Sequence, residues 1–175
     1  GERRVKKILA LVDDIYEDLE LWYPKIRLEE EGWTVPVAGP EANKTYKGKH
    51  GYPCAATIDI ADVESEEYDA LLVPGGFAPD KLRRDANVLR LVREFHDAGK
   101  PIAFICHAGW ILISAGILKG RRATSTIGIR DDMVNAGATW LNEPLVVDGN
   151  LISSRTPADL AVFAKALVDA VRARP

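Results

Sequence analysis

Apolar runs and helical periodicities alternate along the chain from one end to the other. A short uninterrupted apolar run is typical of a strand buried on both faces, and apolar residues three or four positions apart are typical of an amphipathic helix. The alternation predicts βαβ units around a mostly parallel sheet, and therefore an α/β fold arranged as a three-layer α/β/α sandwich. The predicted strands are Lys7–Val12, Trp33–Ala38, Asp69–Val73 and Pro101–Ile105, and the predicted helices are Asp18–Glu31, Val88–Ala98, Ile111–Ile117 and Ile129–Ala136.

The first predicted helix has a clear period in its apolar residues. Four of them recur at helical spacing, namely Leu19, Tyr23, Ile26 and Leu28. Gly32 follows at the point where the helix is expected to end. We therefore expect an amphipathic helix whose apolar face contains these four side chains.

The remaining segments are typical of short strands and turns. Lys44–Ile60 predicts a hairpin or extended chain, and Trp140–Ser154 predicts short strands around an Asp-Gly hairpin turn. Thr156, followed by Pro157, predicts a capped start for the last helix. Because no repeat, low-complexity segment or linker interrupts the pattern, we expect residues 1–175 to form a single domain.

Composition and charge narrow the possible partners. The 175 residues, 47% hydrophobic and 28% charged, are sufficient to bury a substantial core. A net charge of −3 provides no large basic field, so neither nucleic acid nor an anionic membrane is an expected partner. No stretch is long and apolar enough to cross a bilayer, and the polar segment Gly1–Lys7 leads into the first strand without the apolar region of a signal peptide.

The cysteines and histidines give no pattern of a metal or cofactor site. Cys54 and Cys106 do not make a disulfide framework and favour reduced thiols in a cytoplasmic compartment. Together with His50, His96 and His107 they lack metal-ligand spacing, so we expect no metal. The sequence also lacks the glycine-rich runs that hold nucleotide phosphates, so we expect no cofactor.

The strongest chemical signal is a cysteine placed between a strand and a helix. Cys106 and His107 follow the apolar strand Pro101–Ile105 directly, and an apolar helix begins soon after them. This is the arrangement of a nucleophile elbow, which exposes one side chain at the carboxyl end of the sheet. Unpaired N–H groups at the helix N-terminus stabilise a thiolate, and the adjacent imidazole is placed to relay its proton. The alternative is that Cys106 is a small buried hydrophobic residue.

A thiolate that attacks a carbonyl group also needs hydrogen-bond donors for the developing oxyanion. Gly75 and Gly76 end a buried strand, and glycine lets backbone N–H groups approach closely because it has no Cβ. The His107 N–H is the second donor of an elbow. We therefore predict an oxyanion hole formed by Gly75, Gly76 and His107, with a simple chain turn as the alternative.

Acidic residues lie at the same edge of the sheet, just after the first strand. Asp18 and Glu20 precede or begin a helix, where carboxylates usually cap the helix or interact with its dipole. Glu17 is the residue we expect to turn into the pocket. A desolvated carboxyl there would have a raised pKa and would donate a hydrogen bond to the cysteine sulfur.

Several segments together resemble one family over nearly the whole chain. They are Tyr16–Glu20, Gly48–Gly51, Asp69–Gly76, Ala103–His107, Ile113–Gly116, Asp131–Gly137 and Ser153–Asp159. On these motifs the chain resembles the PfpI intracellular-protease family of the DJ-one/PfpI superfamily, which is class I glutamine amidotransferase-like. The resemblance implies a flavodoxin-like fold and a homo-oligomer.

The resemblance also implies roles for particular residues. Cys106 matches the family nucleophile, and Glu17 is matched to the acidic residue that hydrogen-bonds it. His107 matches the histidine of the PfpI branch, which in protease members is oriented by an acidic residue of a neighbouring subunit. The matching position here is Asp80, although an aspartate is shorter than the glutamate expected there. Thr126 and Trp110 depart from the usual residues around the pocket and leave the substrate open.

Three activities have been described for proteins of this kind: peptidase, glyoxalase or deglycase acting on methylglyoxal and its adducts, and oxidation-responsive stress protein. The first two share a thiolate that attacks a carbonyl group, and the third takes the same thiolate to sulfenic and sulfinic acid. We predict a cytoplasmic cysteine hydrolase with a stress-response role, acting on a peptide or a small carbonyl substrate. The alternative is a non-catalytic redox sensor or chaperone-like protein that uses the oxidation of Cys106.

Overall fold

The buried apolar runs of the sequence form the central strands of one seven-stranded sheet in the computed structural model, which describes residues 4–175. The prediction for Gly1–Lys7 falls partly outside these residues. The strands are β1 (Ile8–Leu11), β2 (Val37–Gly39), β3 (Thr45–Lys47), β4 (Pro53–Ala55), β5 (Ile58–Asp59), β6 (Ala70–Val73), β7 (Ile102–Ile105), β8 (Arg122–Ala123), β9 (Thr139–Trp140), β10 (Val146–Asp148) and β11 (Leu151–Ser154).

The main sheet has the strand order β10-β11-β7-β6-β1-β2-β5. Its neighbouring strands are parallel except at one edge, where β10 pairs antiparallel with β11 through the predicted Asp-Gly turn. Strands β1, β6 and β7 are buried along their whole length, as expected for parallel strands covered on both faces. Because they are parallel, their carboxyl ends share one edge of the sheet. The predicted α/β class is therefore confirmed.

In the described residues, six α-helices accompany the sheet. They are α1 (Asp18–Glu30), α2 (Ala78–Leu82), α3 (Ala86–Asp97), α4 (Gly109–Ala115), α5 (Arg130–Asn135) and α6 (Leu160–Arg172). Helix α1 packs against α6, while α3 and α2 pack against α4. None of the helices described in residues 4–175 is long and apolar enough to span a membrane.

Helix α1 has the predicted position but buries a different face. Leu19, Tyr23 and Ile26 are 57%, 41% and 50% exposed, so the predicted apolar face is wrong for three of its four residues. The buried stripe instead runs through Glu20, Pro24 and Leu28, at positions i, i+4 and i+8. A carboxyl group is thereby carried from α1 into the interior.

The start of the last helix also differs from its prediction. Thr156 precedes a short 3-10 turn, Pro157–Asp159, and its side chain makes no capping hydrogen bond. Asp159 instead accepts hydrogen bonds from the backbone and the guanidinium group of Arg155. This pairing fixes the chain where it enters α6.

Candidate active site

Cys106 occupies a strained turn between β7 and α4. Its φ is +64°, in the left-handed region that non-glycine residues rarely adopt. The 3-10 turn Cys106–Ala108 follows β7 at once and leads into α4 at Gly109. The strand-turn-helix geometry predicted for a nucleophile elbow is therefore present, with Cys106 as its strained residue.

The Cys106 sulfur is surrounded by groups that can move or stabilise a proton. His107 Nδ1 lies 3.3 Å from Sγ. The backbone N–H groups of His107 and Gly76 donate toward the same sulfur. Burial and the positive charge of Lys49 lower the pKa of His107, so its imidazole is neutral at physiological pH and can accept the thiol proton.

Glu20 provides the carboxyl group at the sulfur. It is fully buried, and its Oε1 accepts a 2.8 Å hydrogen bond from the Gly75 N–H. The charge of this carboxyl raises the pKa of the Cys106 thiol, and its Oε2 has no hydrogen-bond partner among residues 4–175. Gly75 is required between the two residues, because a Cβ there would lie 2.6 Å from Glu20 Oε1 and 2.8 Å from Cys106 Cβ.

This geometry corrects the role predicted for Glu17. Glu17 precedes α1, and its Oε2 accepts a 2.9 Å hydrogen bond from the Glu20 backbone N–H. It is therefore the helix cap, and Glu20 is the residue that faces the thiol. The two roles were exchanged in the sequence prediction because both carboxyls lie in one short acidic segment. The signal that distinguishes them is the i, i+4, i+8 stripe through Glu20, Pro24 and Leu28.

Burial and nearby charge disfavour the Cys106 thiolate, whereas the sequence predicted that the helix N-terminus would stabilise it. Burial and the charge of Glu20 raise the pKa of Cys106 to about 12, and the N–H groups of His107 and Gly76 only partly counteract them. This direction is opposite to the thiolate stabilisation expected from the N-terminus of the following helix. Burial and the charge of Glu17 also raise the pKa of Glu20, to about 8. At neutral pH Glu20 is mostly protonated, so its charge is largely absent and it can donate a hydrogen bond to sulfur.

The predicted oxyanion donors divide into two groups. The Gly75 N–H is already bound to Glu20, so its predicted role as an oxyanion donor is wrong. Gly76 has a φ of +83°, and a Cβ there would lie 2.4 Å from the Ile15 carbonyl oxygen. Its N–H and that of His107 both point at the sulfur. These two donors remain available beside the reacting atom.

Asp80 lies in α2 and is paired within its own chain. Its carboxylate accepts a hydrogen bond from the Arg84 guanidinium group. The contact predicted between Asp80 and His107 of another subunit stays a prediction. Within the chain, the His107 ring stacks obliquely on Trp110 at 5.0 Å, and the Arg83 guanidinium group lies 5.6 Å from the Trp110 ring centroid.

A small cavity of about 240 Å³ opens at the elbow. Its walls are Ile15, Lys49, Gly76, Phe77, His107 and Trp110. A larger cavity of about 670 Å³ lies at the opposite edge of the sheet, lined by residues that include Arg4, Trp33 and Arg174. We assign the candidate site to the smaller cavity, because its walls include Gly76 and His107, whose Nδ1 lies 3.3 Å from the Cys106 sulfur.

One group of side chains has metal-ligand character. Donor atoms of Glu17, Asp18 and His50 lie within 4.8 Å of one another. Three of the carboxylate oxygens already accept backbone N–H bonds: Glu17 Oε2 from Glu20, and the two Asp18 oxygens from His50 and Tyr52. These carboxylates therefore act as loop and helix caps, and the group gives no argument for a metal.

The family is established by comparison with known proteins. A model of the DJ-1/PfpI family matches residues 6–170, and the chain belongs to that family. The deglycase PfpI of Pyrococcus furiosus is 48% identical over 162 residues, covering 93% of this chain and 97% of that protein. The deglycase TK1284 of Thermococcus kodakarensis is 46% identical, covering 95% and 99%. The family predicted from the motifs is therefore confirmed.

Solved structures agree with this assignment. A two-domain protein of Anabaena variabilis with DJ-1/ThiJ/PfpI-like and ferritin-like domains matches with a TM-score of 0.92 and 44% identity. The match covers 94% of this chain and 47% of that protein, so the chain spans about half of its length. Drosophila melanogaster DJ-1beta matches with a TM-score of 0.91 and 26% identity, covering 98% and 92%.

Proposed function

We propose that this protein is a cysteine-dependent deglycase, a hydrolase that removes methylglyoxal from amines or thiols. The observation that carries the proposal is the strained Cys106 next to His107, which lines a small cavity. His107 Nδ1 lies 3.3 Å from the Cys106 sulfur, and the Glu20 carboxyl lies on the buried side of the thiol. Relatives of nearly equal length that are 46–48% identical are named deglycases. A cavity of about 240 Å³ suits a small carbonyl compound.

The net reaction needs water and no external oxidant. An adduct R–NH–CH(OH)–CO–CH3 and one water molecule give R–NH2 and lactic acid. The carbon bonded to nitrogen is oxidised from the aldehyde to the acid level, and the neighbouring ketone is reduced to an alcohol. The chemistry is therefore an internal redox rearrangement followed by hydrolysis, and it requires a nucleophile with a proton-transfer group on each side.

Cys106 is the nucleophile in this scheme. His107 accepts the thiol proton as sulfur replaces the amine on the adduct carbon, and that proton leaves with the amine. Transfer of the proton from the first carbon to the second, and of the hydroxyl proton to the neighbouring ketone oxygen, then converts the hemithioacetal into a thioester. Water hydrolyses the thioester to lactic acid and regenerates the thiol. The N–H groups of Gly76 and His107 stabilise the oxyanions that form beside sulfur.

Glu20 is the proton-transfer group on the buried side of the site. With a pKa of about 8 it exchanges protons near neutral pH, which is the range a general acid-base group needs. Its Oε1 is fixed by the Gly75 N–H, while Oε2 has no hydrogen-bond partner within the described part of the chain. We therefore assign to Glu20 the transfer of the proton between the two substrate carbons.

Two other functions of the same thiol are candidates. A redox sensor is favoured by the protonated Glu20 carboxyl, which can donate to a sulfinate formed at Cys106. A peptidase is favoured if Asp80 of one subunit orients His107 of another, which requires a homo-oligomer and displacement of the Asp80–Arg84 pair. A role in carbonyl stress follows from the deglycase chemistry, and a reducing compartment such as the cytoplasm keeps the thiol active.

The test is a panel of substrates with matched cysteine variants. Wild type, Cys106→Ser and Cys54→Ser would be supplied with a methylglyoxal adduct of an amine, with a fluorogenic peptide, and with stoichiometric peroxide. We expect lactate release by wild type and Cys54→Ser and none by Cys106→Ser. Selective oxidation of Cys106 without turnover of any substrate would favour the sensor, and cleavage of the peptide alone would favour the peptidase.

A further inference from the structure

Lys49 is the positively charged residue in the wall of the active-site cavity. The other walls are the apolar side chains of Ile15, Phe77 and Trp110, the Gly76 backbone and the His107 ring, which is neutral. Lys49 is itself exposed, so water partly screens its ammonium group, while the apolar walls on its inner side screen the charge less than water does. No step of the deglycase chemistry uses this cation.

The loop that carries Lys49 is fixed by backbone contacts. The Lys49 N–H donates to the Tyr16 carbonyl oxygen at 2.8 Å. On its far side, the buried Asp18 carboxylate accepts the N–H groups of His50 and Tyr52, both at 2.9 Å. Gly48 is needed there, because a Cβ would lie 2.4 Å from that carboxylate. The backbone of Lys49 is therefore held in place beside the pocket.

Within residues 4–175 the Lys49 ammonium group has no anionic partner of its own. Other lysines are paired, such as Lys25 with Glu29 at 2.8 Å and Lys44 with Glu41 at 3.8 Å. Among residues 4–175, no salt bridge or side-chain hydrogen bond involves Lys49. Its positive charge nevertheless reaches the site, where it acts on Glu20, Cys106 and His107.

We propose that Lys49 binds a carboxylate of the substrate, so that the site selects carbonyl adducts of small acids. A single ammonium group matches one negative charge, whereas a phosphate dianion is usually held by several donors. The substrate class rests on the proposed deglycase function. It favours adducts of free amino acids and small thiol acids over internal residues of a protein, whose α-carboxylates are consumed in peptide bonds.

The direct test compares two alkylating reagents that differ only in charge. Iodoacetate and iodoacetamide both require the Cys106 thiolate, whose sulfur displaces iodide, so the ratio of their rates is independent of the thiol pKa. We expect Lys49→Gln to lower the iodoacetate-to-iodoacetamide ratio by about fivefold, the effect of one exposed ion pair of about 1 kcal/mol. Lys49→Arg is expected to retain the ratio. Lys47→Gln, an exposed neighbour outside the cavity, is the matched control.

Added salt and a substrate pair complete the test. Salt is expected to lower the ratio in wild type and to leave it unchanged in Lys49→Gln. Wild type is expected to prefer the methylglyoxal hemithioacetal of N-acetylcysteine over that of N-acetylcysteine amide, and Lys49→Gln to lose the preference. An unchanged ratio in Lys49→Gln, or an equal fall in Lys47→Gln, would overturn the inference. Turnover of neither adduct with an intact ratio would refute the deglycase function and leave Lys49 as an anion site.

Discussion

Glu20 and Cys106 face each other across Gly75, a residue whose missing Cβ leaves room for both side chains. The carboxyl is fixed on one oxygen by the Gly75 N–H, while the thiol lies beside His107 Nδ1 at 3.3 Å. Burial raises the pKa of both groups, and the charge of Glu20 raises that of Cys106 further. At neutral pH both groups are therefore mostly protonated, and the Glu20 carboxyl can donate a proton to a bound substrate.

The pH dependence of stability tests the protonation of Glu20. Burial and the charge of Glu17 raise the Glu20 pKa from 4.5 to about 8. A carboxyl group with a raised pKa in the folded state stabilises the fold fully below its unfolded pKa, and that contribution is lost as the pH rises through the folded pKa. We expect the free energy of unfolding to fall between pH 4.5 and pH 8 in wild type and to change less in Glu20→Gln.

Urea unfolding at several pH values measures this dependence. Glu30→Gln, at the exposed end of α1, is the matched control and is expected to keep the wild-type slope. Equal slopes in wild type and Glu20→Gln would mean that Glu20 is ionised across this range.

The close approach of Glu20 and Cys106 to Gly75 predicts that even one methyl group at position 75 lowers the stability of the protein. In Gly75→Ala the Cβ would meet Glu20 Oε1 at 2.6 Å, Cys106 Cβ at 2.8 Å and the Ile105 carbonyl oxygen at 2.9 Å. We expect a loss of about 1–3 kcal/mol of stability, as for other overpacked sites, with altered thiol reactivity. Gly128→Ala, whose Cβ would have no neighbour within 4 Å, is the control. A neutral Gly75→Ala variant would refute the packing described here.

The two cysteines are expected to differ in reactivity. Burial raises the pKa of Cys54 to about 11, and the residue is only 2% exposed. Cys106 has a raised pKa as well, but it borders the cavity region and has His107 as a base and two N–H donors at its sulfur. We expect iodoacetamide to label Cys106 on the order of tenfold faster or more, as measured by peptide mass spectrometry. Equal rates at the two cysteines would contradict the special role of Cys106.

A contribution of Asp80 from another subunit would affect peptidase activity but not the oxidation of Cys106. If Asp80 orients His107 across an interface, Asp80→Asn should reduce any peptidase activity while the oxidation of Cys106 by peroxide stays unchanged. Its exposed pair with Arg84 is worth little, so stability should change by less than about 1 kcal/mol. Asp97→Asn, on the surface of α3, is the control. Full peptidase activity in a monomer would refute this contribution.

The order of strands and helices could be predicted from the sequence because each element has its own period. Buried parallel strands such as β6 and β7 are uninterrupted apolar runs, and the turn at Cys106 is confined between one of them and a helix. Which face of α1 is buried could not be predicted in the same way. Three of its four periodic apolar side chains are exposed. Its buried face instead contains Glu20, whose raised pKa keeps the carboxyl mostly protonated in the interior.

Two further features depend on contacts that are distant in sequence. The Gly75 N–H is consumed by Glu20, 55 positions away, so a count of local N–H groups cannot identify the free oxyanion donors. Lys49 reaches the site through a loop that Asp18 holds from α1, and nothing in the local sequence indicates that placement. Both features follow from tertiary hydrogen bonds rather than from local propensity.

The most direct test of the account is the covalent state of Cys106 during turnover. Wild-type protein would be mixed with a methylglyoxal adduct, quenched in acid within the first turnovers, digested and analysed by mass spectrometry, with Cys54→Ser and Cys106→Ser in parallel. The deglycase mechanism predicts a lactoyl thioester on Cys106 in wild type and Cys54→Ser, and no lactate production by Cys106→Ser. Sustained lactate production by Cys106→Ser would contradict it.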